Sequence, residues 1–144
     1  MLMDPIVIEF EVNASVDHAF EVWTKRCTLW WPRSHTMSDA DGFEVVFEPF
    51  VGGRVFERGV DNEEYTWGEI TAWDPPHRVA YMWHIFLDRH KATSVSVTFT
   101  PGDGGTTVRL ENGGFEVFGD GASERQGRVG EAWTGIIQHY RDTV

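Results

Sequence analysis

Apolar and polar residues alternate from Ile6 to Val12, with Ile6, Ile8, Phe10 and Val12 on one side and Glu9 and Glu11 among those on the other. A period of two over this length predicts a half-buried strand. Asn13-Ala14-Ser15 breaks it. Ser15 stands three residues before His18, where its hydroxyl can cap a helix, and Val16, Ala19, Phe20 and Trp23 follow at helical spacing as one apolar face. Leu29-Trp30-Trp31-Pro32 ends the helical region, because proline disfavours helix in the residue before it. Residues 33–42 are polar and read as a loop.

The rest of the chain, up to its last quarter, has strand periodicity. Phe43, Val45 and Phe47 alternate with polar neighbours; Gly52-Gly53 turns into a strand over Arg54–Arg58; and Glu64–Trp73 forms a third, rich in Tyr, Thr, Trp and Ile. Asp74-Pro75-Pro76 is a turn, Arg78–Phe86 the next strand, and Thr93–Thr100 the cleanest, with Val95, Val97 and Phe99 on one face. Pro101–Gly105 is a hairpin loop, and Thr106–Glu111 pairs back. Val129, Trp133, Ile136, Ile137 and Tyr140 then recur at i, i+4, i+7, i+8 and i+11, the apolar stripe of a long helix. That stripe must lie against the inner face of the sheet. The expected fold is one α+β domain over residues 1–144: a curved antiparallel sheet of six to seven strands gripping a C-terminal helix, with short helices after the first strand. A curved sheet and a long helix leave a hollow between them, where a small molecule would bind.

Composition narrows the partners. The 144 residues carry a formal net charge of −11, which argues against nucleic acid and against acidic membranes. No segment approaches the roughly 20 apolar residues of a membrane-spanning helix. Residues 1–12 show neither a positive region nor a signal-peptide core, and Cys27 is the single cysteine, so the expectation is a cytoplasmic protein without disulfides. Sheet edges can pair across a two-fold axis, which leaves a homodimer open.

The chemistry-bearing residues form no diagnostic motif. Six histidines (His18, His35, His77, His84, His90 and His139) show neither H-x-H nor H-E-x-x-H spacing, so no metal and no cofactor is expected. Cys27 follows Lys25-Arg26 but reads as helix-end packing, and no nucleophile elbow, P-loop or dinucleotide fingerprint occurs. Arg54, Glu57, Arg58, Glu69 and His84 lie among large aromatics on strands. Either they decorate the outer face, or an Arg–Glu pair points inward and supplies a general acid or base, with Glu57, Glu69 or His84 as candidates. The seven tryptophans are the main signal. Packing accounts for part of them. The remainder suits aromatic walls around a flat or hydrophobic ligand, drawn from Trp30 and Trp31 near the mouth, Trp67, Trp83 and His84 on strands, Phe115, and Trp133 with Ile137 on the helix.

Several phrases carry a family resemblance: Ala14-Ser15 with Phe20 and Trp23, Trp30-Trp31-Pro32, Gly52-Gly53, Tyr65-Thr66-Trp67-Gly68-Glu69-Ile70, Asp74-Pro75-Pro76, Thr106-Thr107-Val108 and the late Trp133. In this order they resemble the START-like, helix-grip superfamily, and within it most closely the domain family named for the activator of the 90-kDa heat-shock protein ATPase. That family usually has glycine before the late tryptophan. Here it is Ala132, a change that touches helix packing. The resemblance implies the fold and a cavity, and within the superfamily three functions: binding of a small hydrophobic or aromatic molecule, a chaperone-ATPase activator-like interaction module, or a cyclase- or hydrolase-type enzyme. A sealed, apolar cavity would favour the first, a filled core the second, and a wet cavity with a perturbed carboxylate the third.

Overall fold

Ser15 caps the first helix, its hydroxyl accepting the His18 N–H at 3.2 Å. In the computed structural model, which describes residues 2–144, this helix is α1 (Val16–Trp23), and the long one is α2 (Ala122–Thr143). Seven strands complete the domain: β1 (Ile6–Val12), β2 (Glu44–Phe47), β3 (Arg54–Arg58), β4 (Glu64–Asp74), β5 (Arg78–Trp83), β6 (Thr93–Gly102) and β7 (Gly105–Gly113). They form one curled antiparallel sheet in the order β1-β7-β6-β5-β4-β3-β2. From β2 to β7 it is a meander of sequential hairpins, and β1 closes the row beside β7, paired from Ile6 with Asn112 to Val12 with Thr106.

Strand boundaries depart from the sequence pattern in one place that matters. The pattern carries the fifth strand to Phe86, but β5 stops at Trp83. His84 still donates its N–H to the Trp67 carbonyl at 2.8 Å; then Leu87 donates back to the His84 carbonyl at 2.7 Å, with Phe86 at φ +67° between them. The turn takes residues 84–91 out of the sheet and over its end. In the middle of β4, Gly68 has no room for a side chain, because a Cβ would collide with the Met82 carbonyl on β5.

The charged residues of β3 resolve by alternation. Arg54 and Arg58 point outward, at 3.5 and 3.0 Å from Glu48 and Glu64 and at 3.8 and 3.6 Å from Glu44 and Glu64. Their guanidiniums lie 4.1 and 5.4 Å from the Phe56 ring, which is why an outward Phe is only 3% exposed. Glu57 points inward, fully buried, and no arginine joins it. Its carboxylate accepts the N–H groups of Met37 (2.6 Å) and Ser38 (3.0 Å). The two alternatives thus divide: the arginines decorate the outer face, and Glu57 alone turns inward as a carboxylate that anchors the loop before β2, with both oxygens satisfied without a buried cation. Glu69 is exposed.

Six of the indoles close a circuit inside the sheet. Ring centroids run from Trp67 to Trp31 (5.1 Å), to Trp30 (5.8 Å), to Trp23 (5.1 Å), to Trp133 (6.4 Å), to Trp83 (5.9 Å) and back to Trp67 (5.8 Å). Trp133 brings α2 into this circuit and donates its indole N–H to the buried Asn112 side chain on β7 at 3.0 Å. Tyr140, two turns on, donates its hydroxyl to the Ala19 carbonyl at 2.7 Å and ties α2 to α1.

Replacing Trp133 by Ala should therefore cost ~3–5 kcal/mol in urea unfolding. Trp133→Phe, which keeps an aromatic ring but orphans the Asn112 carbonyl oxygen, should cost about 1–3 kcal/mol from that loss alone.

Candidate functional site

The stripe of α2 begins one turn earlier than its apolar residues suggest. Arg125, Val129, Ala132, Trp133 and Ile136 share one face, and that face roofs a cavity of about 200 Å³ at the end of the sheet. The core contributes Trp31, Trp83, Thr93 and Phe115; the turn after β5 contributes His84, Ile85, Phe86 and Leu87; His35 and Phe118 complete the wall. An apolar cavity of about 150 Å³ holds a benzene ring. The larger, partly open space here has room for a fused aromatic system.

Of the expected ligand-binding residues, the structure gathers Trp31, Trp83, His84, Phe115 and Trp133 around this cavity. Trp30, Trp67 and Ile137 do not line it. Trp30 is sealed between Trp23 and Tyr140, with its indole N–H donated to the Val22 carbonyl at 2.7 Å. Trp67 lies behind the two lining rings Trp31 and Trp83, fully buried, and its N–H has no acceptor among the described residues. Ile137 faces the core one position along from Ile136. Ala132, noted in the sequence for helix packing, turns its methyl group toward the cavity. Arg125 and Phe118 were missed by sequence reading. The Arg125 guanidinium sits 4.4 Å from the Phe118 ring, and its signal was its place four residues before Val129.

Polar groups around the cavity are few: His35, His84, Thr93 and Arg125. Trp31 sets the position of His35 by donating its indole N–H to the His35 carbonyl at 3.0 Å. Partial burial, and then the nearby His139, hold the His35 imidazole below its ordinary pKa. Neither Glu57 nor Glu69 lines the cavity. Cys27 is buried, and burial pushes its thiol well up, so it stays protonated at neutral pH. Among the described residues no three His, Cys, Asp or Glu side chains gather as a metal site, and no helix is long and apolar enough to cross a membrane.

The family model described as Activator of Hsp90 ATPase homolog 1-like protein matches residues 13–142. A solved anthrahydroquino-gamma-pyrone synthase, Txn09, complexed with SUM, is 38% identical, with 85% of this chain and 84% of that chain covered at a TM-score of 0.58. A Mesorhizobium loti protein shares 18% identity over 96% of this chain and 94% of its own, with a TM-score of 0.70. A Mycobacterium smegmatis protein shares 22% over 100% and 97%, with a TM-score of 0.67. These last two show the fold alone. No curated protein matches the sequence.

Two outcomes follow from the titratable groups. Because the folded pKa of His35 lies below its ordinary 6.5, protonation favours the unfolded chain. The His35 contribution to stability is complete above that value and is lost as pH falls through the folded pKa. NMR titration should find the His35 midpoint below 6.5, and His139→Gln should raise it. Glu57→Gln should cost about 1–3 kcal/mol in urea unfolding, because the amide keeps only one acceptor oxygen for two backbone N–H groups.

Proposed function

This chain belongs to the Activator of Hsp90 ATPase homolog 1-like family, and on that premise we propose that it binds a flat, fused-ring aromatic molecule in the cavity between α2 and the end of the sheet. The observation that carries this reading is the lining: Trp31, Trp83, Phe115, Phe118 and Trp133 converge from four separate segments on one hollow. Rings of this kind offer both faces and edges to a planar guest, which ring–ring geometry rewards beyond area alone. The relative named as an anthrahydroquino-gamma-pyrone synthase, 38% identical, supports a ligand of the polycyclic phenol or quinone class.

That same relative supports a second reading, cyclisation of such a molecule rather than simple binding. The groups at hand for it are the two cavity imidazoles, His35 and His84. His35, held neutral through the physiological range by its lowered pKa, would serve as the base. A carboxylate mechanism finds no support, since no Asp or Glu lines the cavity among the described residues.

Titration with anthracene-2-sulfonate, a flat soluble probe, should quench tryptophan emission and saturate at one site per chain. Trp83→Ala should weaken that binding by about 1–3 kcal/mol with the fold intact by circular dichroism. Emission unchanged at saturating probe would exclude the cavity as the site.

A further inference from the structure

The Thr93 side chain is the innermost polar group of the cavity, and the hydrogen bonds behind it dictate what it can offer a ligand. Asn112, fully buried on β7, has three partners. Its carbonyl oxygen Oδ1 accepts the Trp133 indole N–H at 3.0 Å; its amide Nδ2 donates to the Ser94 carbonyl at 2.8 Å and to Thr93 Oγ1 at 3.0 Å. This amide has one workable orientation. Rotating it by 180° would set Oδ1 against the Ser94 carbonyl, two acceptors, and Nδ2 against the Trp133 N–H, two donors.

The consequence passes to Thr93. An indole N–H can only donate, so Asn112 must present its oxygen to Trp133 and its N–H to Thr93. Thr93 Oγ1 is thereby committed as an acceptor on its inner side. Its single O–H proton remains, and among the described residues no protein acceptor takes it. Thr93 lines the cavity, so that proton is available to whatever sits there.

Resting on the reading of the cavity as an aromatic-ligand site, we infer that Thr93 is its specificity residue, a fixed hydrogen-bond donor that selects a ring carbonyl at the buried end of the guest. The ligand class narrows accordingly to rings that carry an acceptor oxygen, of the quinone or pyrone type, over the corresponding hydrocarbons. A guest without an inward acceptor leaves the Thr93 proton unpaired in an apolar wall, and that loss adds to the missing bond. Arg125, on the first turn of α2, also lines the space and is more exposed than Thr93, which suits a polar or anionic substituent on the outer side of the guest.

The test compares anthraquinone-2-sulfonate with anthracene-2-sulfonate, which share a ring frame and a sulfonate and differ in the two carbonyls. Calorimetry on the full chain should show the affinity ratio, quinone over hydrocarbon, fall about tenfold in Thr93→Val and Thr93→Ala and hold within about twofold in Thr93→Ser. Anthracene-2-sulfonate affinity should barely move in any of the three. On the parent protein, the infrared spectrum of bound anthraquinone-2-sulfonate should show one carbonyl stretch moved to lower wavenumber and the other near its free value. A ratio unchanged in Thr93→Val or Thr93→Ala, or two unshifted carbonyl bands in the parent, overturns the role of Thr93 while the cavity still takes the hydrocarbon probe. If neither probe binds, the aromatic-site reading fails and takes this inference with it.

Discussion

The rest of the structure depends on the buried Trp133–Asn112 hydrogen bond. A long amphipathic helix can slide or rotate on an apolar sheet at little cost, because hydrophobic contact is non-directional. One indole N–H donated to one amide oxygen at 3.0 Å removes that freedom. Breaking it leaves a polar atom unpaired in a low-dielectric interior, so the helix has a single register that satisfies its own core. That register sets the rotation of α2, which in turn decides that Arg125, Val129, Ala132 and Ile136 overlook the hollow while Ile137 and Tyr140 face the packed core.

The indole circuit has two sides for the same reason. On the α1 side, Trp23 and Trp30 are closed off by Phe99 and Tyr140, and burial pushes the Tyr140 phenol pKa well up. On the other side, Trp31, Trp83 and Trp133 have no further layer, because β5 ends at Trp83 and the chain turns away over residues 84–91. The cavity is the space left where the strand stops. Had β5 run on to Phe86, as the apolar pattern suggests, its side chains would have alternated through that space and filled it.

What was legible in the sequence follows from which patterns are local. The element order, the Ser15 cap, the meander and the apolar stripe of α2 all come from periodicity within a single segment, and the structure shows each of them. Depth along the curled sheet does not. Trp67 and Trp83 face the same interior, yet Trp83 touches the hollow and Trp67 lies behind it, a difference set by how far each sits from the end of the sheet. Adjacent Trp30 and Trp31 likewise part company at the 3₁₀ turn Cys27–Leu29, where neither period two nor period 3.6 says which ring turns inward. Glu57 was visible as a candidate inward charge. Its partners, two backbone N–H groups twenty and nineteen residues upstream, carry no signature in side-chain chemistry. Asn112 carries no signal of its own in the sequence, since nothing local marks an amide that ties its strand to the neighbouring strand and to a helix at once.

Electrostatics adds a last constraint on what the hollow can take. With a net charge of −11, the protein repels anions at long range. Screening confines each surface charge to about 8 Å at physiological ionic strength. The cavity wall itself is different: Arg125 lines it, and among the described residues no carboxylate does. A strongly anionic guest would approach slowly and gain only at the mouth, whereas a cation would be drawn to the surface and find no partner inside. A neutral aromatic, or one whose acidity is confined to a phenol at its outer end, meets neither penalty. It enters without steering, buries its rings against the indoles, and brings charge only to where the guanidinium lies.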